Sequence, residues 1–368
     1  MIRRHVFEVF RKFDWLLFVS AMVLVFLGLA GIGSVGLSKE PVDFGALYKQ
    51  MIFAAAGVLI VFVFALAHPT RWRFASWVIY AISIVSLLGV LVFGLTVRGT
   101  TGWFSLWGVR IQPVEAAKVA LILVLARFLS EHLQLAGQLK IFWRTGALLL
   151  PPIGLVLFQP DTGSASILVI LWISMLLVVG IKKTHLVAGA VGAALFAVMA
   201  WFFLLAPYQK ERLLTFLNPE RDPLGSGYNV TQSIIAVGSG QFFGRGLGFG
   251  AQSQMKFLPE AQTDFVFAVL AEELGLAAVA VIFLAFGVFF YRILEIAKRT
   301  NDSYSQLVVL GVFTVTFYEM FVNIGMNVGM IPVAGITLPF VSYGGSSLFS
   351  HFAMLGLLEG IAMRSPRV

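Results

Sequence analysis

The chain contains no cysteine, few charged residues and only five histidines. Without cysteine, disulfides, thiolate metal sites and a cysteine nucleophile are excluded together. Charged residues make up 12% of the 368 residues, whereas soluble domains carry about 25%. Because 59% of the residues are apolar and the mean hydropathy is +0.92, a soluble single-domain enzyme is excluded as well.

Long apolar runs account for most of the chain. Since a membrane-spanning helix needs roughly 20 mainly apolar residues, the sequence predicts an all-α, polytopic integral membrane protein with about ten transmembrane helices. The predicted spans are 15–36, 50–67, 74–97, 114–130, 146–158, 164–181, 185–206, 264–292, 305–330 and 347–363. Residues 1–368 are expected to form a single transmembrane domain, with a large glycine-rich outer loop at about 207–262.

The net charge of +8 follows from the predicted topology. Lysine and arginine are enriched in cytoplasmic loops of membrane proteins, and placing both termini in the cytoplasm puts most of the basic residues inside. These are Arg3, Arg4, Arg11, Lys12, Arg71, Arg73, Arg127, Lys140, Arg144, Lys182, Lys183, Arg292, Lys298, Arg299, Arg364 and Arg367. A nucleic-acid partner is therefore not needed to explain the charge, and none is expected.

Charged residues stand at the outer ends of two predicted helices. Glu115 and Lys118 are three residues apart behind Pro113, which suits the first turn of a helix. They are interpreted either as a functional pair or as a structural salt bridge. Asp161 is either a carboxylate at the rim of a substrate groove or the N-cap of the next helix. Only His351 lies near the outer side, so a Ser-His-Asp triad or a polyhistidine metal site is not expected there.

The long loop carries six glycines between 238 and 250, with Arg245 among them. Such a run can present backbone N–H groups to a phosphate, or it can fold onto the bundle and use the glycines in turns. Further along, Glu272 and Glu273 lie in an apolar segment. At least one of them is expected to point into the bundle, bonded to a cation or to backbone.

A carboxylate marks the point where the loop re-enters the membrane. Partial desolvation at Asp264 would raise its pKa. The alternative is that Thr263 or Asp264 caps the following helix. Asn323 and Asn327 share a helix face at i and i+4, and they either bind substrate or join helices by hydrogen bonds.

These motifs together resemble the SEDS family (shape, elongation, division, sporulation), and within it the rod-shape branch more than the division branch. The matching segments are QPxExxK at 112–118, QPDxG at 159–163, 217–229, FLPEAQTDFVFAVLAEELG at 257–275, 327–329 and PVAGITLPFVSYGGS at 332–346. The sequence departs from the family pattern at Gly102, which stands where a basic residue commonly precedes the loop tryptophan, and at Val114, where serine is usual.

The resemblance implies a peptidoglycan glycosyltransferase in the bacterial cytoplasmic membrane. Such an enzyme polymerises lipid II at the outer face during cell elongation and releases undecaprenyl pyrophosphate. The resemblance assigns the catalytic base to Asp264. The residues expected to contact substrate are Arg98, Trp103, Arg110, Glu115, Lys118, Asp161, Arg212, Arg245, Glu260 and Ser342.

The resemblance also carries expectations about cofactors and partners. A divalent cation, Mg²⁺ or Mn²⁺, could share the phosphate contact, with Asp161 or Glu260 as its ligand. No organic cofactor is expected. The implied partners are a class B penicillin-binding protein, which supplies cross-linking, and other membrane proteins of the elongation machinery. Two rival functions remain open, a lipid II flippase and a non-catalytic scaffold.

Overall fold

The fold is a bundle of α-helices with one small β-sheet. The computed structural model describes residues 12–39, 41–97, 99–106, 108–135, 137–182 and 226–366 apart from 256 and 259, together with isolated positions between 184 and 216. In chain order the helices are α1 (Trp15–Leu37), α2 (Gly45–Leu66), α3 (Pro69–Phe93), α4 (Pro113–Glu131), α5 (Leu139–Phe158), α6 (Thr162–Val179), α7 (Ser226–Ser239), α8 (Ala251–Gln254), α9 (Val266–Arg299), α10 (Ser303–Asn327) and α11 (Gly345–Ala362).

The predicted membrane spans are largely confirmed as helices. Within the described residues, seven helices are long and apolar enough to cross a membrane, namely α1, α2, α3, α5, α6, α9 and α10. The predicted spans 114–130 and 347–363 form α4 and α11, which bury most of their side chains inside the bundle. The predicted span 185–206 lies mostly outside the described residues.

A three-stranded antiparallel sheet follows α3, and the sequence analysis did not predict it. Its strands are β1 (Leu95–Val97), β2 (Thr100–Leu106) and β3 (Val109–Ile111), in the order β1-β2-β3. The expectation that the third span is helical up to residue 97 is therefore wrong, because α3 ends at Phe93. We call the end of the bundle that carries this sheet the sheet end, and the other the opposite end.

The central helices pack closely because glycines allow their backbones to approach. The ring of Phe352 on α11 lies where a Cβ at Gly57 of α2 would stand. In the same interface Gly356 faces the backbone of Val61. Close approach at small residues replaces the hydrophobic driving force that helices lack in lipid. The interface fixes α11 against α2 and positions the polar residues of α11 inside the bundle.

Helix α9 is interrupted at Gly275, where φ is 71° and ψ is −165°, a conformation available essentially to glycine alone. The break frees amide groups, and the glycine-rich loop bonds to two of them. Leu276 N donates to Gln241 O at 2.9 Å and Ala277 N donates to Phe242 O at 3.1 Å. The loop thus completes the hydrogen bonding of the broken helix and is held against it.

Replacing Gly275 should destabilise the protein. In Gly275→Ala the new methyl group meets the backbone of Gly244 and Phe242 in a strained conformation, so we expect a loss of at least about 2 kcal/mol in unfolding free energy. The matched control is Gly287→Ala in the same helix, where the methyl group enters open space. That control should be neutral or stabilising by up to about 1 kcal/mol. Thermal unfolding in detergent measures both, and equal effects would contradict the structural role of the break.

Candidate active site at the sheet end

A buried ion network lies between α4, α10 and α11. Lys118 donates to Glu115 Oε2 at 2.7 Å and to Glu319 Oε1 at 2.5 Å. Lys118 and Glu319 are each 1% exposed. An unpaired charge at such depth costs several kcal/mol, so the ammonium and the two carboxylates depend on one another. The predicted Glu115–Lys118 pair is confirmed, but the sequence analysis missed Glu319 as its third member.

His351 of α11 is the fourth member of this network. Its Nδ1 lies 2.7 Å from Ser347 O, and its Nε2 lies 2.7 Å from Glu319 Oε2. A carbonyl oxygen only accepts, so Nδ1 donates to Ser347 O. Through Nε2 the ring contacts the Glu319 oxygen that Lys118 does not use, and this contact joins α11 to the network.

Two further side-chain hydrogen bonds lie near the network, one at Glu115 and one between the N-caps of α4 and α6. Ser350 Oγ donates to Glu115 Oε2 at 2.9 Å, and Gln112 Nε2 donates to Asp161 Oδ2 at 3.4 Å. Asp161 is the N-cap of α6 and accepts from Ser164 N at 2.9 Å. The capping interpretation is therefore confirmed. Burial raises the pKa of Asp161, while its bonds to Ser164 act in the opposite direction.

The proposed metal ligands do not form a metal-binding cluster in the described part of the chain. Asp161 already accepts from Ser164 and Gln112. Glu260 accepts from Thr263 Oγ1 at 2.9 Å. No group of three or more His, Cys, Asp or Glu side chains suited to a metal ion occurs among the described residues. These contacts do not fit a divalent cation held by Asp161 or Glu260.

Asp264 lies directly before α9 and is partly exposed. The N-cap of α9 is Phe265, so neither Thr263 nor Asp264 occupies the capping position. The backbone ahead of the carboxylate is fixed by the segment before α11. Tyr343 N donates to Gln262 O at 2.8 Å, and Ser342 Oγ donates to Thr263 O at 2.6 Å. Ser342, predicted to contact substrate, is buried and bonds to the turn that carries Asp264.

The glycine-rich loop uses its amides within the protein. Gly246 N donates to Glu273 O at 2.8 Å, and Gly248 N donates to Ser34 Oγ at 3.0 Å and to Glu273 Oε2 at 3.2 Å. Glu272 accepts from the first amides of α8, Gln252 N at 2.8 Å and Ser253 N at 3.1 Å. The loop is therefore folded onto the bundle, and the alternative that these amides cradle a phosphate is wrong. Both glutamates point inward and bind backbone, as expected for at least one of them.

Comparisons with known proteins agree with this architecture. The sequence profile of the FtsW/RodA/SpoVE family, described as cell cycle proteins, matches residues 14–366. This chain belongs to that family. It is 37% identical to the peptidoglycan glycosyltransferase MrdB of Escherichia coli K12, covering 92% of each chain. It is 36% identical to stage V sporulation protein E of Bacillus subtilis 168, covering 96% of this chain and 97% of that protein.

Solved structures of related proteins share the fold. A chain from a peptidoglycan synthase complex, described as coordinating polymerization and crosslinking, superposes with a TM-score of 0.81 at 32% identity, covering 96% of this chain and 98% of that one. The rod shape determining protein RodA of Thermus thermophilus superposes with a TM-score of 0.72 at 27% identity, covering 97% of this chain and 98% of that one.

The other residues that the family resemblance predicts to contact substrate differ from one another in where they lie. Arg110 on β3 and Arg245 in the glycine-rich loop are exposed. Burial raises the pKa of the Tyr343 hydroxyl, while the fields of Arg110 and of Lys39, which the sequence analysis missed, act against it. Trp103 lies on β2 opposite Leu95. Arg98 and Arg212 lie outside the described residues.

Removing the buried cation should cost far more stability than removing an exposed one. Lys118→Met removes the ammonium that pairs with both Glu115 and Glu319. We expect a loss of about 3–5 kcal/mol in the free energy of unfolding. The control is Lys39→Met, which breaks a 2.8 Å pair with Asp43 whose side chains are 41% and 51% exposed. That change should cost less than about 1 kcal/mol. Equal losses on thermal unfolding would show that the network is not a structural requirement.

Proposed function

We propose that this SEDS protein is a peptidoglycan glycosyltransferase that polymerises lipid II. The observation that carries the proposal is the partly exposed carboxylate of Asp264, held on a rigid backbone at the end of the bundle that also carries exposed cations. The names of the relatives support it, since MrdB of Escherichia coli and RodA of Treponema pallidum are both called peptidoglycan glycosyltransferases.

The proposed reaction needs one base and no second carboxylate. A sugar hydroxyl of one lipid-linked disaccharide attacks the anomeric carbon of another, and the bond from that carbon to the pyrophosphate oxygen breaks. Asp264 accepts the hydroxyl proton as the new glycosidic bond forms. Undecaprenyl pyrophosphate leaves as an anion, so a general acid of the kind that glycosidases use is not required.

Exposed cations stabilise the departing pyrophosphate in this proposal. Arg110 and Arg245 are accessible at the surface, whereas the ammonium of Lys118 is buried between two carboxylates. Charge that develops on a leaving group is stabilised by donors that are already in place. We therefore assign the pyrophosphate contact to the exposed arginines. Lys118 and Glu115 hold α4 in position, a role that differs from the direct contact expected from the sequence.

A class B penicillin-binding protein is the proposed partner. The solved complex that this chain resembles coordinates polymerization with crosslinking, and the matching chain in it is covered over 98% of its length. A transpeptidase would act on the glycan strands that this chain produces. Other membrane proteins of the elongation machinery, and a divalent cation that shares the phosphate contact, stay predictions from the sequence.

The flippase alternative loses the features that favoured it. A flippase needs polar residues throughout the membrane depth, and Glu272, Glu273 and Glu319 are the carboxylates that keep this alternative open. Glu319 is paired with Lys118 and contacts His351, and the two adjacent glutamates bind the loop 246–254. These contacts hold elements of the fold together, which gives all three carboxylates a structural role.

Polymerisation of purified lipid II tests the proposal. Wild-type protein should make glycan chains, and Asp264→Asn should reduce the rate by about 10²–10⁴-fold because the amide cannot accept the proton. The control is Asp302→Asn, which alters the N-cap of α10 at the opposite end and keeps a side chain that caps well. It should retain the wild-type rate.

Two other outcomes would contradict the proposal. Equal polymer from wild type and Asp264→Asn would remove this carboxylate from the mechanism. If neither the wild type nor the variants make polymer, and lipid II crosses the membrane of vesicles that contain the wild type, the transferase hypothesis fails and the flippase hypothesis is favoured.

The proposed orientation places the sheet end outside the cytoplasm and both termini inside. Because the chain has no native cysteine, single cysteines report topology without background. Ser105→Cys on β2 and Asn301→Cys between α9 and α10 are both at exposed positions. A membrane-impermeant maleimide should label the first in intact spheroplasts and the second only after permeabilisation. The reverse pattern would contradict the orientation.

A further inference from the structure

Two buried asparagines of α10 bind the main chain of the proposed catalytic residue. Asn323 Nδ2 donates to Asp264 O at 3.0 Å, and Asn327 Nδ2 donates to the same oxygen at 3.0 Å. Both asparagines are 0% exposed. A carbonyl oxygen has two lone pairs, and here each of them has a side-chain donor. The position of the Asp264 backbone is therefore specified from α10 and not by the helix that follows it.

Each asparagine is itself held in one orientation. Asn323 Nδ2 also donates to Ile336 O at 2.7 Å, which connects it to the segment before α11. Asn327 Nδ2 donates to Asn323 O at 2.8 Å, and its Oδ1 accepts from Ala268 N at 3.2 Å. The last bond satisfies an amide in the first turn of α9, which has no partner within the helix. The oxygen and nitrogen of each carboxamide are thus assigned by their neighbours.

These contacts complete a pattern along three consecutive residues. The carbonyls of Gln262 and Thr263 accept from Tyr343 N and Ser342 Oγ, and the carbonyl of Asp264 accepts from the two asparagines. A reacting group has to stay within a fraction of an ångström of its productive position, and buried hydrogen bonds of this kind provide that precision. Simple joining of helices would not require two donors on one carbonyl oxygen.

We infer that Asn323 and Asn327 are positioning residues that hold Asp264 for the transfer reaction. The inference rests on the proposed function, in which Asp264 is the base. Loss of either donor leaves the Asp264 carbonyl with one partner and lets the carboxylate move relative to the sugar hydroxyl. Since neither carboxamide reaches the surface, the change should act on the rate of the chemical step and not on substrate affinity.

Steady-state polymerisation of lipid II separates the two effects. Asn323→Ala and Asn327→Ala should each lower kcat by about 10–100-fold, the scale expected for a misplaced catalytic group. KM should change by less than about 3-fold, because no binding group is removed. The isosteric variants Asn323→Asp and Asn327→Asp keep the volume but replace a donor with an acceptor. They should lose at least as much kcat as the alanine variants.

The matched control is Ser233→Ala. Ser233 is 0% exposed, and its hydroxyl donates to Asn327 O at 2.8 Å, so its loss disturbs the same asparagine without removing a donor to Asp264. Its kcat should stay within about 3-fold of wild type, and thermal unfolding of all variants shows whether they are folded.

The possible results separate the positioning role of the two asparagines from the assignment of Asp264 as the base, on which that role rests. If Asp264→Asn is inactive but the asparagine variants lose no more kcat than Ser233→Ala, the positioning role is wrong and the base assignment stands. If the aspartate variants keep more activity than the alanine variants, packing matters and the donor does not, which also overturns the inference. If Asp264→Asn retains the wild-type rate, the base assignment fails and the positioning role fails with it.

Discussion

A lysine buried inside an apolar helix bundle needs anionic partners close by, and Lys118 has two. Glu115 comes from the same helix and Glu319 from α10, and His351 from α11 contacts the other oxygen of Glu319. Because breaking one buried partner leaves another uncompensated, the three helices are fixed relative to each other by charge as well as by packing. The sheet end is organised around this ion network.

Helix α10 connects the ion network to the backbone of the proposed catalytic residue, Asp264. Glu319, Asn323 and Asn327 follow one another at intervals of four residues and are all buried, so they lie on one face. With a rise of 1.5 Å per residue they span about 12 Å along the axis. One end of this polar stripe belongs to the ion network and the other holds the backbone of Asp264. A single rigid element therefore sets the distance between the two.

The sequence predicted the local features of the site well and the long-range ones poorly. The Glu115–Lys118 pair and the Asp161 cap follow from spacings of three residues or fewer along one helix end. The bond between Lys118 and Glu319 joins residues 201 positions apart, and no local pattern contains it. An ionisable residue within an apolar span was the available signal, since such residues are usually paired.

Two further differences between the sequence-based predictions and the structure concern the small sheet and the glycine-rich loop. The short strands β1 and β3 have three residues each, too few for a period to show. The glycine-rich loop matched a phosphate-binding pattern because that pattern consists of the glycines alone. The carboxylates of Glu272 and Glu273, which bind its amides, approach from another helix. A loop's free donors can be counted only when the whole fold is known.

Photo-crosslinking of lipid II tests most directly whether the reacting end of the substrate meets Asp264 at the sheet end. Benzoylphenylalanine would replace Tyr343, whose amide donates to Gln262 O in the turn before Asp264, or Tyr291, which is 61% exposed on α9 toward the opposite end. Illumination with radiolabelled lipid II should label the protein at position 343 and leave position 291 unlabelled. Labelling at 291 without labelling at 343 would contradict the account, because the substrate headgroup would then lie away from the carboxylate.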